Sequence, residues 1–573
     1  MLLNRIEMET DIAVIGGGGA ALRAAYEAEA AGCGVIVISK GRVGFSGATA
    51  ISISDLGGIN IADGYLCKED SPERHYNDIV NAGLGMCNKN LARILTVEAL
   101  KEKDFLEGIG VRFHKENGEY LINKPCFSET PRCYTIYGHG KSIVKALKGR
   151  IDKGRQVKFL DNCVVTNIIT QRGVCCGVVA FSDGLKSIVV VKSKAVILTA
   201  GGGGQLFRLC MNPQDVTGDG NALAFRAGAK LANLEFIQFG LGTVYPKLLS
   251  VSYWMVLMGP RFLNGKNEEF LSKYIPEGLT VDSVTAEKTH YPFSSRDNAR
   301  FIETAIHNEI IKGNAAANGG VLLDLTHLSA KDERKLIEPL RKVWQVTKEW
   351  FESKGVDVTK KPLTVADYCH AFNGGVVINE RAETSVEGLY AAGENAAGPH
   401  GADRLGGNML LTCQVFGKIA GVNAAQYAKN TALNENRTFV RNETDRLCSL
   451  LDGTNPDADE KIEGLTQTLK NSNWERLGVA RNEAGIGKAL EVITEAQETV
   501  KEIKVSNTRS LKRLLELSNM LTVSKMIATA ANMRKESRGS HNREDYPQIN
   551  DEWEKNIIIK KVNGNPEFSK GYI

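Results

Sequence analysis

Thr10-Asp-Ile-Ala-Val-Ile-Gly-Gly-Gly-Gly-Ala-Ala21 decides the fold. Residues 10–15 read as a buried parallel strand, which Gly16–Gly19 break. The alanine-rich stretch Ala20–Ala31 predicts a helix. Gly32 and Gly34 close it, and Val35–Ser39 reads as a second strand, completing a βαβ unit. Within that unit, Gly16-x-Gly18-x-x-Ala21 has the spacing of a dinucleotide-binding turn. The first glycine permits the turn, the second lets a pyrophosphate approach the backbone, and the small third position lets helix pack on strand. With Gly19, the turn opens a helix whose N-terminal N–H groups and dipole favour phosphate. The plain alternative is a coincidental glycine turn, and the strand–helix setting argues against it. Ser39-Lys40 ends the second strand, where an NAD site would usually carry Asp or Glu.

Outward from this unit, residues 158–199 read as a meander: Val164–Ile169, Val174–Phe181, Ser187–Val191 and the buried strand Ala195–Thr199. Ala200-Gly201-Gly-Gly-Gly204 follows. From about 240 to 364 the α/β rhythm disappears. Two helices are expected there, Asp297–Lys312 and Ala330–Lys354, and the stretch reads as an inserted domain. The glycine-rich pattern returns from Cys369 to Gly421, so the first domain is discontinuous. Residues 431–545 are charged and helical by pattern, with Asp457–Lys470, Trp474–Ile503 and Ser510–Lys535 as candidates. The last 28 residues carry short β-like runs such as Ile557–Val562 and read as a tail.

Bulk properties exclude several classes. A chain of 573 residues has room for two or three domains. Its 58 glycines against 14 prolines suit cofactor loops, not a disordered chain. A net charge of +4, spread along the sequence, gives no footprint for nucleic acid. The twelve cysteines form no C-x-x-C pair and no iron–sulfur run, so no metal ligand set is expected. Scattered thiols suggest a reducing, cytoplasmic setting. The vicinal Cys175 and Cys176 are a redox candidate or, more plainly, two strand positions. No export signal and no run of the ~20 apolar residues needed to span a bilayer is seen. Membrane association is therefore expected only through a partner.

The segment His400-Gly-Ala-Asp-Arg-Leu-Gly-Gly-Asn-Met-Leu-Leu-Thr412, nearly 400 residues after the fingerprint, resembles the flavoprotein subunits of the succinate dehydrogenase/fumarate reductase family, which includes L-aspartate oxidase. The resemblance covers roughly residues 8–550. It implies an α/β fold: a discontinuous Rossmann-like FAD-binding domain (1–239 and 365–430), an inserted α+β capping domain (240–364), a C-terminal helical domain (431–545) and a tail (546–573). It also implies FAD as cofactor, and Ser39-Lys40 is the family's dipeptide at that position. The loop Gly44–Thr49 resembles the family's next flavin loop, with Ser46, Gly47 and Thr49. Many members carry a flavin-linked histidine where this chain has Gly47, so FAD is expected to be noncovalent. Gly57-Gly58 resembles the Gly-Gly that follows. Ala200, Gly201, Gly202 and Asp219 resemble "ATGG…TGDG", and Glu394 the family's "GE"; both carboxylates are implied near the flavin's sugar-alcohol chain. A helix cap for Asp219 and a surface role for Glu394 are the alternatives. Asn408 and Leu410 complete the implied cofactor set.

The implied catalytic residues are Arg296, His370 and Arg404. Ser295-Arg296-Asp297 resembles the start of "RDVVSR", whose arginine delivers the proton; Arg is normally charged and needs a neighbouring acid to re-protonate it. Asp297 has the alternative of capping the next helix. His370 resembles the family's "H…GG" histidine, and Arg404 the arginine that clamps a carboxylate through its two-pronged head. The chain departs from the family at 235–262. Glu235-Phe-Ile-Gln-Phe239 begins "MEFxQFHPT", but Gly240 replaces the histidine. Where a Thr-Glu or Ser-Glu pair is expected, Ser252-Tyr-Trp-Met-Val-Leu-Met-Gly-Pro260 stands instead. A bulkier or less charged enoate than fumarate suits that wall. Arg534-Lys-Glu-Ser-Arg-Gly-Ser-His-Asn-Arg-Glu-Asp-Tyr-Pro547 closely resembles the family's "RxESRGAHxREDxP". The implied function is hydride transfer between flavin N5 and a carboxylate-activated C–C bond, on a small organic acid, with an iron–sulfur subunit or soluble donor as electron partner. An L-aspartate oxidase, an electron-transfer subunit without its own substrate, and a non-enzymatic scaffold are the other readings.

Overall fold

The computed structural model describes residues 4–51, 57–154, 156–328, 338–451, 453 and 456–573. Its largest sheet has the spatial order Val157–Leu160, Val35–Ile38, Asn4–Ile15, Ser187–Leu198, Val174–Ser182, Cys163–Gln171, with Leu389–Ala391 also paired to Ser187–Leu198. The strands around the fingerprint are parallel, in register Ile12↔Val35 and Ile12↔Ala195. The two expected strands Ser187–Val191 and Ala195–Thr199 are one. Lys192-Ser-Lys194 interrupts the apolar pattern but not the ladder, because Lys192 lies opposite Glu9 and Lys194 Nζ reaches Asp11 at 2.7 Å.

Alternate residues of that strand serve two cores, as the two-residue period of a strand requires. Val189 and Val191 join the core beneath the helix Gly19–Ala30, while Ile188 and Val190 join the core of the C-terminal helices. The helix Gly19–Ala30 packs on Asn408–Lys429. Gly417 and Gly421 allow that approach: a Cβ on Gly421 would lie 2.4 Å from the Ala24 carbonyl oxygen. The first and the returning part of the sequence thereby meet behind the glycine turn.

The strands Ile237–Tyr245, Leu363–Phe372, Val321–Asp324 and Arg261–Leu263 form an antiparallel sheet that runs past both expected bounds, 240 and 364, with a core that includes Met255, Ile302 and Trp344. The first expected helix there runs Arg300–Ile311. Of the second, Glu338–Ser353 is helical, and 330–337 lies outside the described residues.

The C-terminal helices are Arg437–Leu450, which the pattern does not single out, Ala458–Leu477, Glu483–Glu502 and Thr508–Met533. Trp474 belongs to the end of one helix and does not begin the next. Its indole Nε1–H donates to the Asp367 carbonyl at 2.8 Å, and Asn482 caps the following helix through Gly485 N. The final stretch folds as the hairpin Asn556–Val562/Asn565–Gly571, and its first strand pairs with Leu231–Ala232. Among the described residues no helix is long and apolar enough to cross a membrane, and no group of three His, Cys, Asp or Glu could hold a metal. Cys175 and Cys176 are both buried on the strand Val174–Ser182.

Candidate functional site

One cavity gathers most of the residues singled out from the sequence. Gly16, Gly18 and Gly19 line it, with Ser39 and Lys40 from the second strand's end. The helix Gly19–Ala30 starts there with no side-chain cap and no acidic residue in its first turn. Apart from Gly19 N, its N-terminal N–H groups are thus available to an anion. Ser46, Gly47 and Thr49 line the same cavity, and Thr49 Oγ1 accepts from Gly19 N at 3.3 Å. A Cβ on Gly47 would meet only Gly18 Cα, at 3.9 Å.

Gly57, Ala200, Gly201, Asp219, Glu394 and Leu410 complete the lining expected from sequence. Lys40 Nζ pairs with Asp219 at 2.7 Å and with Glu516 at 3.1 Å. Burial alone would lower the Lys40 pKa, but these two carboxylates hold it above its ordinary value. Burial likewise pushes Asp219 up, and Lys40, Asn519 and Thr217 outweigh that and hold it low. Asp219 is therefore bound to this chain's own donors. Asn519, and the Glu516 that shares Lys40 with it, come from the C-terminal helix Thr508–Met533. Glu394 accepts from Phe372 N at 2.9 Å, and burial raises its pKa against that bond and Arg404. Asn212, also in the lining, has a buried Oδ1 with no partner.

His370 and Arg404 converge in this cavity. The strands Ile237–Tyr245 and Leu363–Phe372 pair Gln238 with Ala371 and Phe239 with Cys369, so His370 is the extra residue of a bulge. Bulges re-aim side chains next to sites. Arg404 Nη2 meets His370 Nε2 at 3.3 Å, Nε donates to Gln238 Oε1 at 3.1 Å, and Nη1 to the Leu405 carbonyl at 2.9 Å. Burial and Arg404 lower the His370 pKa to about 3, so its ring is neutral. Arg404 is 5% exposed, and no carboxylate among the described residues ion-pairs with it.

Five residues of the implied catalytic and cofactor set do not line the cavity. Arg296 is turned to Asp403, its Nη2 donating to Oδ2 at 2.8 Å, and to the Ala82 carbonyl at 3.1 Å. Asn408 is buried against Asn60 and His75. Ala21 is buried inside its helix. Gly58 and Gly202 act by close packing: a Cβ would lie 2.2 Å from the Tyr134 carbonyl oxygen and 2.5 Å from Glu394 Oε1. Asp297 does not cap the helix Arg300–Ile311; it accepts from Ala299 N and faces His290 Nε2 at 3.1 Å.

Sequence reading missed Gln238, Asp403, Tyr291, Met211 and Glu516. Asp403 sits beside Arg404 in the quoted segment, and that adjacency was the available signal. Asp403 accepts from Ser294 Oγ at 2.6 Å, its Oδ1 has no partner, and burial raises its pKa against Arg296 and Ser294. The C-terminal motif supports this region: Ser295 N donates to the Gly539 carbonyl and Ser540 Oγ to the Ala402 carbonyl.

A family model described as "FAD binding domain" matches residues 11–410, and one described as "Fumarate reductase flavoprotein C-term" matches 466–571. The chain belongs to the fumarate reductase/succinate dehydrogenase flavoprotein family. It is 35% identical to an uncharacterized FAD-dependent oxidoreductase of Methanocaldococcus jannaschii, covering 96% of each chain. It is 32% identical to one subunit of the fumarate reductase (CoM/CoB) of Methanothermobacter marburgensis, covering 96% of this chain and 97% of that one. The FrdA chain of Escherichia coli quinol fumarate reductase superposes with a TM-score of 0.81 at 25% identity, over 99% of this chain and 97% of that one.

As a member of this fumarate reductase-type family, the chain is an FAD-dependent oxidoreductase acting on CH–CH bonds. The cavity suits FAD on structural grounds: an uncapped helix start for the pyrophosphate, an orphaned Asn212 Oδ1 and glycines packed where side chains would intrude.

Proposed function

We propose that this chain exchanges a hydride and a proton with a C–C bond activated by a neighbouring carboxylate. It would do so as the flavoprotein subunit of a complex, with electrons passing through a separate iron–sulfur subunit. The observation that carries the reading is Arg404. Its guanidinium is buried and hydrogen-bonded only to neutral groups, and Glu394 acts on it from a distance without pairing, so an anionic ligand can complete its coordination. The neutral His370 beside it can share that ligand without adding charge. Bound FAD would supply the two-electron chemistry. Arg296 would hold the proton, with Asp403 as the acid that restores it; the raised Asp403 pKa and its unpartnered Oδ1 support that role. The similar Methanothermobacter marburgensis protein is one subunit of a reductase, which supports an assembly for this chain. Gly47, with open space over it, supports noncovalent FAD.

The test is anaerobic reduction of the holoenzyme, then flavin reoxidation with a panel of 2-enoic acids and their amides. Reoxidation by the acids and not the amides, lost in Arg404→Met with FAD content unchanged, is expected. No reoxidation by any acid would overturn the reading in favour of an electron-transfer subunit.

A further inference from the structure

The cavity's charge count limits what its substrate can be. Lys40 and Arg404 are its Lys or Arg lining residues, and Lys40 is already paired with Asp219 and Glu516. Two cations near the reaction end are committed elsewhere, Arg296 to Asp403 and Lys288 to Glu303. Arg404 can therefore neutralise one carboxylate, and a second would be buried without a counter-charge.

The volume beside Arg404 and His370 is filled by an aromatic ring. Gly240 lies on the strand Ile237–Tyr245, opposite Tyr368. A Cβ built on Gly240 would fall 2.4 Å from Cε2 and Cζ of Tyr291. Positions 240 and 291 thus share one volume, and in this chain Tyr291 occupies it. Its ring stands edge-on to His370, with centroids 5.5 Å apart, and its hydroxyl donates to Met211 Sδ at 3.0 Å. Both neighbours line the cavity. Tyr291 N also donates to Cys126 Sγ at 3.2 Å, which fixes the start of the segment that carries the ring.

We propose that this site takes a monocarboxylic 2-enoate, its carboxylate on Arg404 and its uncharged end towards the Tyr291 wall, with Tyr291 as the specificity-determining residue. The proposal rests on the carboxylate role given to Arg404 above. A dicarboxylate would leave one carboxylate desolvated and unpaired, at a cost of at least about a hundredfold in affinity.

The test is a titration of oxidised holoenzyme, followed by the flavin difference spectrum, with butyrate, crotonate, succinate and fumarate. Saturable perturbation by the monocarboxylates at concentrations roughly a hundredfold below the dicarboxylates is expected. The double variant Gly240→Arg/Tyr291→Gly, which puts a guanidinium that stays charged at all accessible pH into the shared volume, should narrow that ratio at least about tenfold. Tyr291→Phe, which keeps the ring, should leave the ratio unchanged. Equal or tighter binding of the dicarboxylates to the unmodified protein overturns this inference and leaves the carboxylate role of Arg404 standing. No perturbation by any of the four acids overturns both. The primary comparison needs no variant, so misfolding of the double variant would not spare the proposal.

Discussion

Glu235→Met should be among the most damaging single changes in this chain. Glu235 and Arg534 are both fully buried, and Arg534 Nε donates to Glu235 Oε1 at 2.8 Å. The same guanidinium donates to Glu536 Oε1 at 2.9 Å and to the carbonyls of Trp553 and Lys555 at 2.8 Å. Methionine fills a similar volume but accepts no comparable bond, so Arg534 Nε–H is left buried and unpaired. Removing one partner of a buried pair costs roughly 3–5 kcal/mol. Glu536 also pairs with Arg538 and so neutralises Arg534 only in part, and we expect the middle of that range, about 4 kcal/mol. The assay is denaturant unfolding of the holoprotein followed by tryptophan emission, with Trp553 as a local reporter. Arg534→Leu and the double variant complete the cycle. A double variant destabilised by about 2 kcal/mol less than the sum of the singles is expected, since it removes the unpaired charge along with its partner. Additive singles, or a loss under about 0.5 kcal/mol for Glu235→Met, would refute the reasoning.

Four further outcomes are expected. Acid precipitation should release all flavin into the supernatant; flavin remaining with the polypeptide would contradict the Gly47 reading. Asp403→Asn should slow flavin reoxidation by the preferred enoate by about a hundredfold, with acid binding unchanged in the difference titration; an unaltered rate would remove Asp403 from proton handling. Lys40→Met should weaken FAD binding to apoprotein at least about tenfold, because Asp219 is left buried without its cation. Burial pushes the Asp367 pKa up to about 6, against the pull of His307. The folded state therefore holds a proton that the unfolded carboxyl, near pH 4, has lost. That contribution is complete below about pH 4 and fades as pH rises through 6. Asp367→Asn should flatten this part of the melting-temperature profile, and parallel profiles would exclude it.

The βαβ unit was legible because its signals are local: the apolar end Ile12–Ile15 of a strand that in fact begins at Asn4, a glycine turn and an alanine helix each depend on near neighbours. The break between the C-terminal helices was misplaced for the converse reason. Trp474 reads as the apolar start of a helix, but what fixes it is a carbonyl 107 residues away. The joined strand Ser187–Leu198 was missed because its polar middle is balanced by Glu9 and Asp11, which no local window includes.

The same division runs through the site. By itself the sequence determined the glycine turn between strand and helix, since glycine spacing carries it, while the cofactor class and the candidacy of His370 and Arg404 came from the family resemblance of their segments. Tertiary structure alone decided that Arg296 turns to Asp403, that Glu516 and Asn519 reach the cofactor cavity from a helix near the chain's end, and that Tyr291 fills the space over Gly240. Each of these depends on two segments far apart in the chain competing for one volume or one charge. That competition exists only once the strands and helices have packed.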